Sequence, residues 1–157
     1  MTSRGFFAFL GLLRIAAGVS LFMSGLQKLA WFGSAAALDT KLADWAQHPA
    51  NSLVTKYLAW LAPHSGLFAR LVVLGELGLG ALLAAGFLTP LVALLAFLMV
   101  ASFQFAGSSM FSLNYLRGQS GLAYLLIYPV LMLGRAGTSL GLDGIISRSG
   151  RKAQPSA

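Results

Sequence analysis

Apolar residues run along this chain in four long stretches, about Phe6 to Ala30, Gly66 to Leu88, Leu91 to Gly107 and Leu113 to Leu133. Each is near the ~20 residues that a helix needs to cross a bilayer. The pattern therefore predicts an all-α, polytopic membrane protein, a four-transmembrane-helix bundle forming one domain over 1–157. Ser65 is placed to cap the second span. Thr89-Pro90 sets a capping hydroxyl before a proline at the first position of the third, so these two spans should form a tight hairpin. Pro129 falls inside the fourth span, where a bend is expected. The polar segment 33–63 also has helical pieces, Ala36 to Gln47 and Ser52 to Ala62, separated by His48-Pro49-Ala50-Asn51, with Asn51 or Ser52 as cap. Trp45, Tyr57 and Trp60 suit a water–lipid boundary, so this segment is expected to lie at the interface over one mouth of the bundle. A partner-docking surface is the alternative reading.

Composition agrees with the membrane class. The 157 residues are 57% hydrophobic and 10% charged, with a mean hydropathy of +0.78, far from the balance of soluble domains. The net charge of +7 points in so apolar a chain to lipid phosphates or anionic partners, and no nucleic-acid motif is present. The absence of cysteine excludes disulfides, thiolate metal sites, iron–sulfur clusters and a persulfide carried on this chain. A signal peptide is the competing reading of the first span, with Arg4 before it and Ser34-Ala35-Ala36-Ala37 after it. The apolar region is too long for an ordinary signal, and Arg14 would lie inside it.

Two charges inside apolar spans are the sharpest signal. A carboxylate within a bilayer needs a partner, protonation or water, and Glu76 sits mid-span. Gly11, Gly18 and Gly25 recur every seven residues along the first span, with Arg14 and Lys28 close to the same face. Ala69, Val73, Glu76, Gly80 and Ala84 form a similar stripe on the second. Small residues let helices approach in lipid, so these stripes should meet. Depth arithmetic at ~1.5 Å per residue puts Arg14 and Glu76 at one level and predicts an intramembrane pair, either structural glue or part of a site. Lys28, Arg70, Gln104 and Arg117 fall within about 10 Å of the mouth that carries the long loop. They are expected either to snorkel to headgroups or to form a vestibule for a quinone or anionic lipid, beside the interfacial Trp45 and Trp60.

At these residues the chain resembles a known family. The segments Leu13-Arg14-Ile15-Ala16-Ala17-Gly18, Gly25-Leu26-Gln27-Lys28-Leu29, Leu74-Gly75-Glu76-Leu77-Gly78-Leu79-Gly80 and Ala85-Gly86-Phe87-Leu88-Thr89-Pro90 are similar to those of the DoxX/DoxD family. The closing stretch from Gly134 through Gly141-Leu142-Asp143 is similar too. The loop between the first two spans is longer than in the simplest members. The resemblance implies a small four-helix membrane protein, related to the membrane subunit of thiosulfate:quinone oxidoreductase and to proteins of redox or thiol-stress complexes. It carries over Arg14, Lys28 and Glu76 by position, with no catalytic role for any of them.

Other chemistries find little support. His48 and His64 lie at loop ends without ligand spacing, so no metal site is predicted. Gly75, Gly78 and Gly80 lack the βαβ context of a nucleotide loop. Ser108, Ser109 and Asp143 form no Ser-His-acid arrangement. Two function classes remain. One is an accessory, quinone-linked membrane subunit of a redox complex, with any electron carrier or catalytic chain supplied by a partner. The other is a structural or assembly subunit without ligand chemistry. A lone transporter is a weaker third, since inverted repeats and broken helices are not evident. Whether the chain is itself an enzyme stays open. A prokaryotic cytoplasmic membrane is expected, with both termini inside on the strength of Arg4, Arg148, Arg151 and Lys152 against Lys41 and Lys56. The tail 144–157 should be mobile.

Overall fold

The described residues form seven α-helices: α1 Ser3–Gln27, α2 Ala36–Gln47, α3 Ser52–Leu61, α4 Ser65–Ala85, α5 Thr89–Ala106, α6 Leu113–Leu116 and α7 Leu122–Leu133. They belong to a computed structural model that describes residues 3–116, 121–134, 136–138 and 141–144. Every regular element among the described residues is helical. Among the described residues, three helical runs are long and apolar enough to cross a membrane, namely 5–27 within α1, 52–85 and α5. α7 is apolar but only 12 residues long. The expected fourth span is thus divided between α6 and α7, with 117–120 outside the described residues. Most of the tail expected at 144–157 also lies outside them.

Local signals explain most boundaries. Asn51 caps α3, its side-chain oxygen accepting from the Leu53 and Val54 amides at 3.0 Å each, and so supplies acceptors that the first helical turn lacks. A single 3₁₀ turn, Ala62–His64, carries α3 straight into α4, making 52–85 one run of 34 residues. Ser65 does not act as the expected cap, because it is already the first residue of α4. α4 ends at Gly86, whose φ of +70° is the left-handed C-terminal conformation that glycine adopts without strain.

The glycine stripes set the central contact. A Cβ on Gly18 would lie 2.5 Å from the Ala84 nitrogen, and one on Gly80 would lie 2.5 Å from the Phe22 nitrogen. α1 and α4 therefore pack backbone against backbone, as small residues permit in lipid. Two buried clusters flank this seam. Leu10, Leu21, Leu83, Val92, Tyr128 and Leu131 join α1, α4, α5 and α7. Leu42, Val54, Leu58, Leu61 and Val72 tie α2 and α3 to α4 and, through Ala106, to α5. Phe9, Leu12, Leu67, Leu74, Leu98 and Leu126 point outward, an apolar exterior that suits lipid and not water. The chain is thus an integral membrane protein in contact with the bilayer.

Candidate functional site

The α1–α4 register decides which charges meet. Gly18 faces Gly80 and Ala84, and Gly25 faces Glu76 and Leu77, so the helices run antiparallel with Glu76 level with Ser24 and Gly25. Side chains on a helix lean toward its N-terminus. Lys28 accordingly reaches back one turn, donating to Ser24 Oγ at 2.9 Å and pairing with Glu76 Oε1. Arg14 leans the same way along α1, which carries its guanidinium away from Glu76 and to Gly86 in the α4–α5 turn. The expected Arg14–Glu76 pair is therefore corrected: Glu76 pairs with Lys28, and Arg14 lies about ten residues of helix, ~15 Å, away. The depth estimate fails because it placed both helices in an idealised slab and ignored side-chain direction.

Glu76 is 6% exposed, and its second oxygen, Oε2, is buried without a hydrogen-bond partner among the described residues. It lines a cavity of about 260 Å³ with Lys28, Trp31, Lys41, Trp45, Met99, Val100, Phe103 and Gln104. The walls come from α1 and the turn after it, α2, α4 and α5. Lys28 Nζ lies 5.8 Å from the Trp31 ring centroid and 5.9 Å from that of Phe103, near enough for cation–π attraction of about 0.5–2 kcal/mol each. Gln104 is oriented by the Ser109 hydroxyl, which donates to its Oε1, and its amide packs over Gly121, where a Cβ would overlap it.

The other residues of the expected vestibule separate. Lys28, Gln104 and Trp45 line this cavity. Arg70 lies outside it, exposed, with Nε donating to the Phe32 carbonyl at 3.4 Å. Trp60 is also exposed, stacked on Tyr57 at 6.1 Å and edge to face with Phe68 at 5.4 Å. Arg117 falls outside the described residues. Trp31 and Lys41 enter the cavity unforeseen. Trp31 carried a signal, one turn after Lys28 at the end of an apolar span, whereas Lys41 read only as a loop charge.

Arg14 occupies a second polar centre. It is fully buried, and a Cβ on either Gly86 or Gly141 would overlap its guanidinium. Asp143 acts electrostatically on it and also closes the α4–α5 turn. Its Oδ1 accepts from the Leu88 amide at 2.8 Å, its Oδ2 from the Thr89 amide at 2.9 Å, and its own amide donates to the Gly86 carbonyl at 2.9 Å. The cap of α5 is thus a distant carboxylate and not the hydroxyl of Thr89, which is buried without a hydrogen-bond partner among the described residues. That corrects the expected Thr89 cap.

Both centres sit on the segments whose resemblance to known proteins was noted from sequence. No match is found among curated proteins or among solved structures. The family model described as DoxX matches residues 9–109, a stretch that contains Arg14, Lys28, Glu76 and Gln104, and the chain belongs to the DoxX family.

Proposed function

We propose that this protein is an accessory membrane subunit of a quinone-linked redox complex, and that the Glu76 cavity receives the quinone headgroup. The observation that carries this reading is the cavity itself, where a buried carboxylate keeps one oxygen unengaged among the described residues, beside Lys28, Gln104 and aromatic walls. Quinone carbonyls accept from such donors, and a planar ring packs well against Trp45 or Phe103. The reduced ring offers hydroxyls to Glu76 Oε2. Electrons come from and go to partner chains, since this sequence has no cysteine for thiol chemistry. In this reading α7, with the chain just before it, completes a four-helix bundle. α2 and α3 lie at the interface over the cavity mouth, and both termini face the cytoplasm of a prokaryotic cell.

Quenching of tryptophan fluorescence by a quinone in nanodiscs tests the reading, because Trp31 and Trp45 line the cavity. Saturable quenching is expected, weakened several-fold by Gln104→Leu. Quenching that only tracks quinone concentration in the lipid, equal in both proteins, would favour the structural-subunit reading. One observation supports that second reading: the Lys28–Glu76 pair also holds α1 to α4.

A further inference from the structure

We propose that the ligand of the Glu76 cavity is a long-chain quinone whose hydrocarbon tail runs beneath the α2–α3 hairpin and does not pass directly from the headgroup into the bilayer. This rests on the headgroup reading above. A second cavity of about 190 Å³ lies between α2, α3, α4 and α5. Leu38, Leu42, Leu61, Val72 and Ala106 are buried residues of its wall. Ser102 also lines it, but its hydroxyl donates to the Met99 carbonyl at 2.8 Å. Such a lining offers a polar headgroup little and a hydrocarbon chain much, since a dry void forfeits dispersion contacts that a chain restores.

The two cavities share three walls, Trp45, Met99 and Phe103. Their partition is therefore made of side chains. The Trp45 and Phe103 rings meet edge to face at 6.1 Å and 80°, and the Met99 thioether is the most adaptable of core groups. Val72 stands one turn before Glu76, ~6 Å along α4, so a tail leaving the headgroup reaches the second cavity within its first few carbons. At the outer rim Leu71 is 49% exposed, which opens the cavity on the lipid-facing side and lets the rest of a long chain continue into the membrane. Separately each cavity is small. Joined, they enter the range of roughly 300–1,000 Å³ usual for small-molecule sites.

The test compares a chain-free benzoquinone with its decyl derivative at equal mole fraction in nanodisc lipid, read by saturable tryptophan quenching. The wild type should bind the decyl compound at least about tenfold more tightly, the worth of ~1.4 kcal/mol. Val72→Phe, which fills the apolar cavity, should remove that advantage and leave chain-free binding unchanged. Val72→Leu serves the same purpose if the larger side chain prevents folding. Equal affinity of the wild type for both compounds overturns the tail site. So does a Val72 variant that still prefers the decyl compound. If chain-free binding is nevertheless saturable and sensitive to Gln104→Leu, the headgroup reading survives that failure. If neither compound binds saturably, both proposals fall.

Discussion

The two polar centres along the α1–α4 seam differ in what their carboxylates have left to do. Asp143 uses both oxygens on the backbone amides that begin α5, and the space around Arg14 is shaped by glycines on which any Cβ would intrude. Glu76 uses one oxygen on Lys28 and, among the described residues, leaves the other buried and unengaged at the edge of a cavity. A closed centre of the first kind fixes the α4–α5 turn. An open one keeps room and hydrogen-bonding capacity for something else, and for that reason the candidate site is placed at Glu76 and not at Arg14.

The largest effect should come from breaking the closed centre. Asp143→Ala removes two charge-assisted bonds at the start of α5 and the carboxylate that acts on the buried Arg14 guanidinium, so a loss of about 3–5 kcal/mol is expected in equilibrium unfolding in detergent. An effect below ~1 kcal/mol would mean that the turn holds without its carboxylate. Lys28→Met strands Glu76 and should cost less, about 1–3 kcal/mol, because Lys28 is a quarter exposed and retains access to water. Adding Glu76→Leu should recover part of that loss, whereas Arg14→Leu and Glu76→Gln should combine additively within ~0.5 kcal/mol, as distant sites do. Coupling between Arg14 and Glu76 instead would restore the pairing that the helix register rejects. Smaller still, Asn51→Ala should lower stability by about 1 kcal/mol through loss of the α3 cap while saturable quinone quenching stays as in the wild type. A change in that quenching would tie the α2–α3 connection to the headgroup site.

How far the sequence foretold this arrangement depends on the range of the forces involved. Helical periodicity and capping are local, so α2 and the Asn51 cap of α3 were readable. The Gly18 and Gly25 stripe foretold the α1 face that meets α4, since close packing in lipid needs small residues wherever it occurs. The partner of Glu76 was not readable. Choosing Lys28 over Arg14 takes a shift of about ten residues in the α1–α4 register plus the backward lean of side chains, and hydropathy carries neither. Asp143 capping α5 from 54 residues away is likewise a tertiary event. Ser65 and Thr89 were plausible caps by local rules, but α3 runs through one turn into α4, which leaves Ser65 inside the helix, and the distant Asp143 takes the place of Thr89.

Photoaffinity labelling in nanodiscs with a quinone that carries its reactive group on the ring tests the distinction between the two centres most directly. Peptide mapping should find label on Trp31, Trp45, Met99 or Phe103, displaced by excess unlabelled quinone and reduced in Gln104→Leu, with none displaceable around Gly86, Thr89 or Asp143. Displaceable label at the Arg14–Asp143 centre, or label confined to outward-facing residues and indifferent to competition, would contradict the assignment of the ligand site to Glu76.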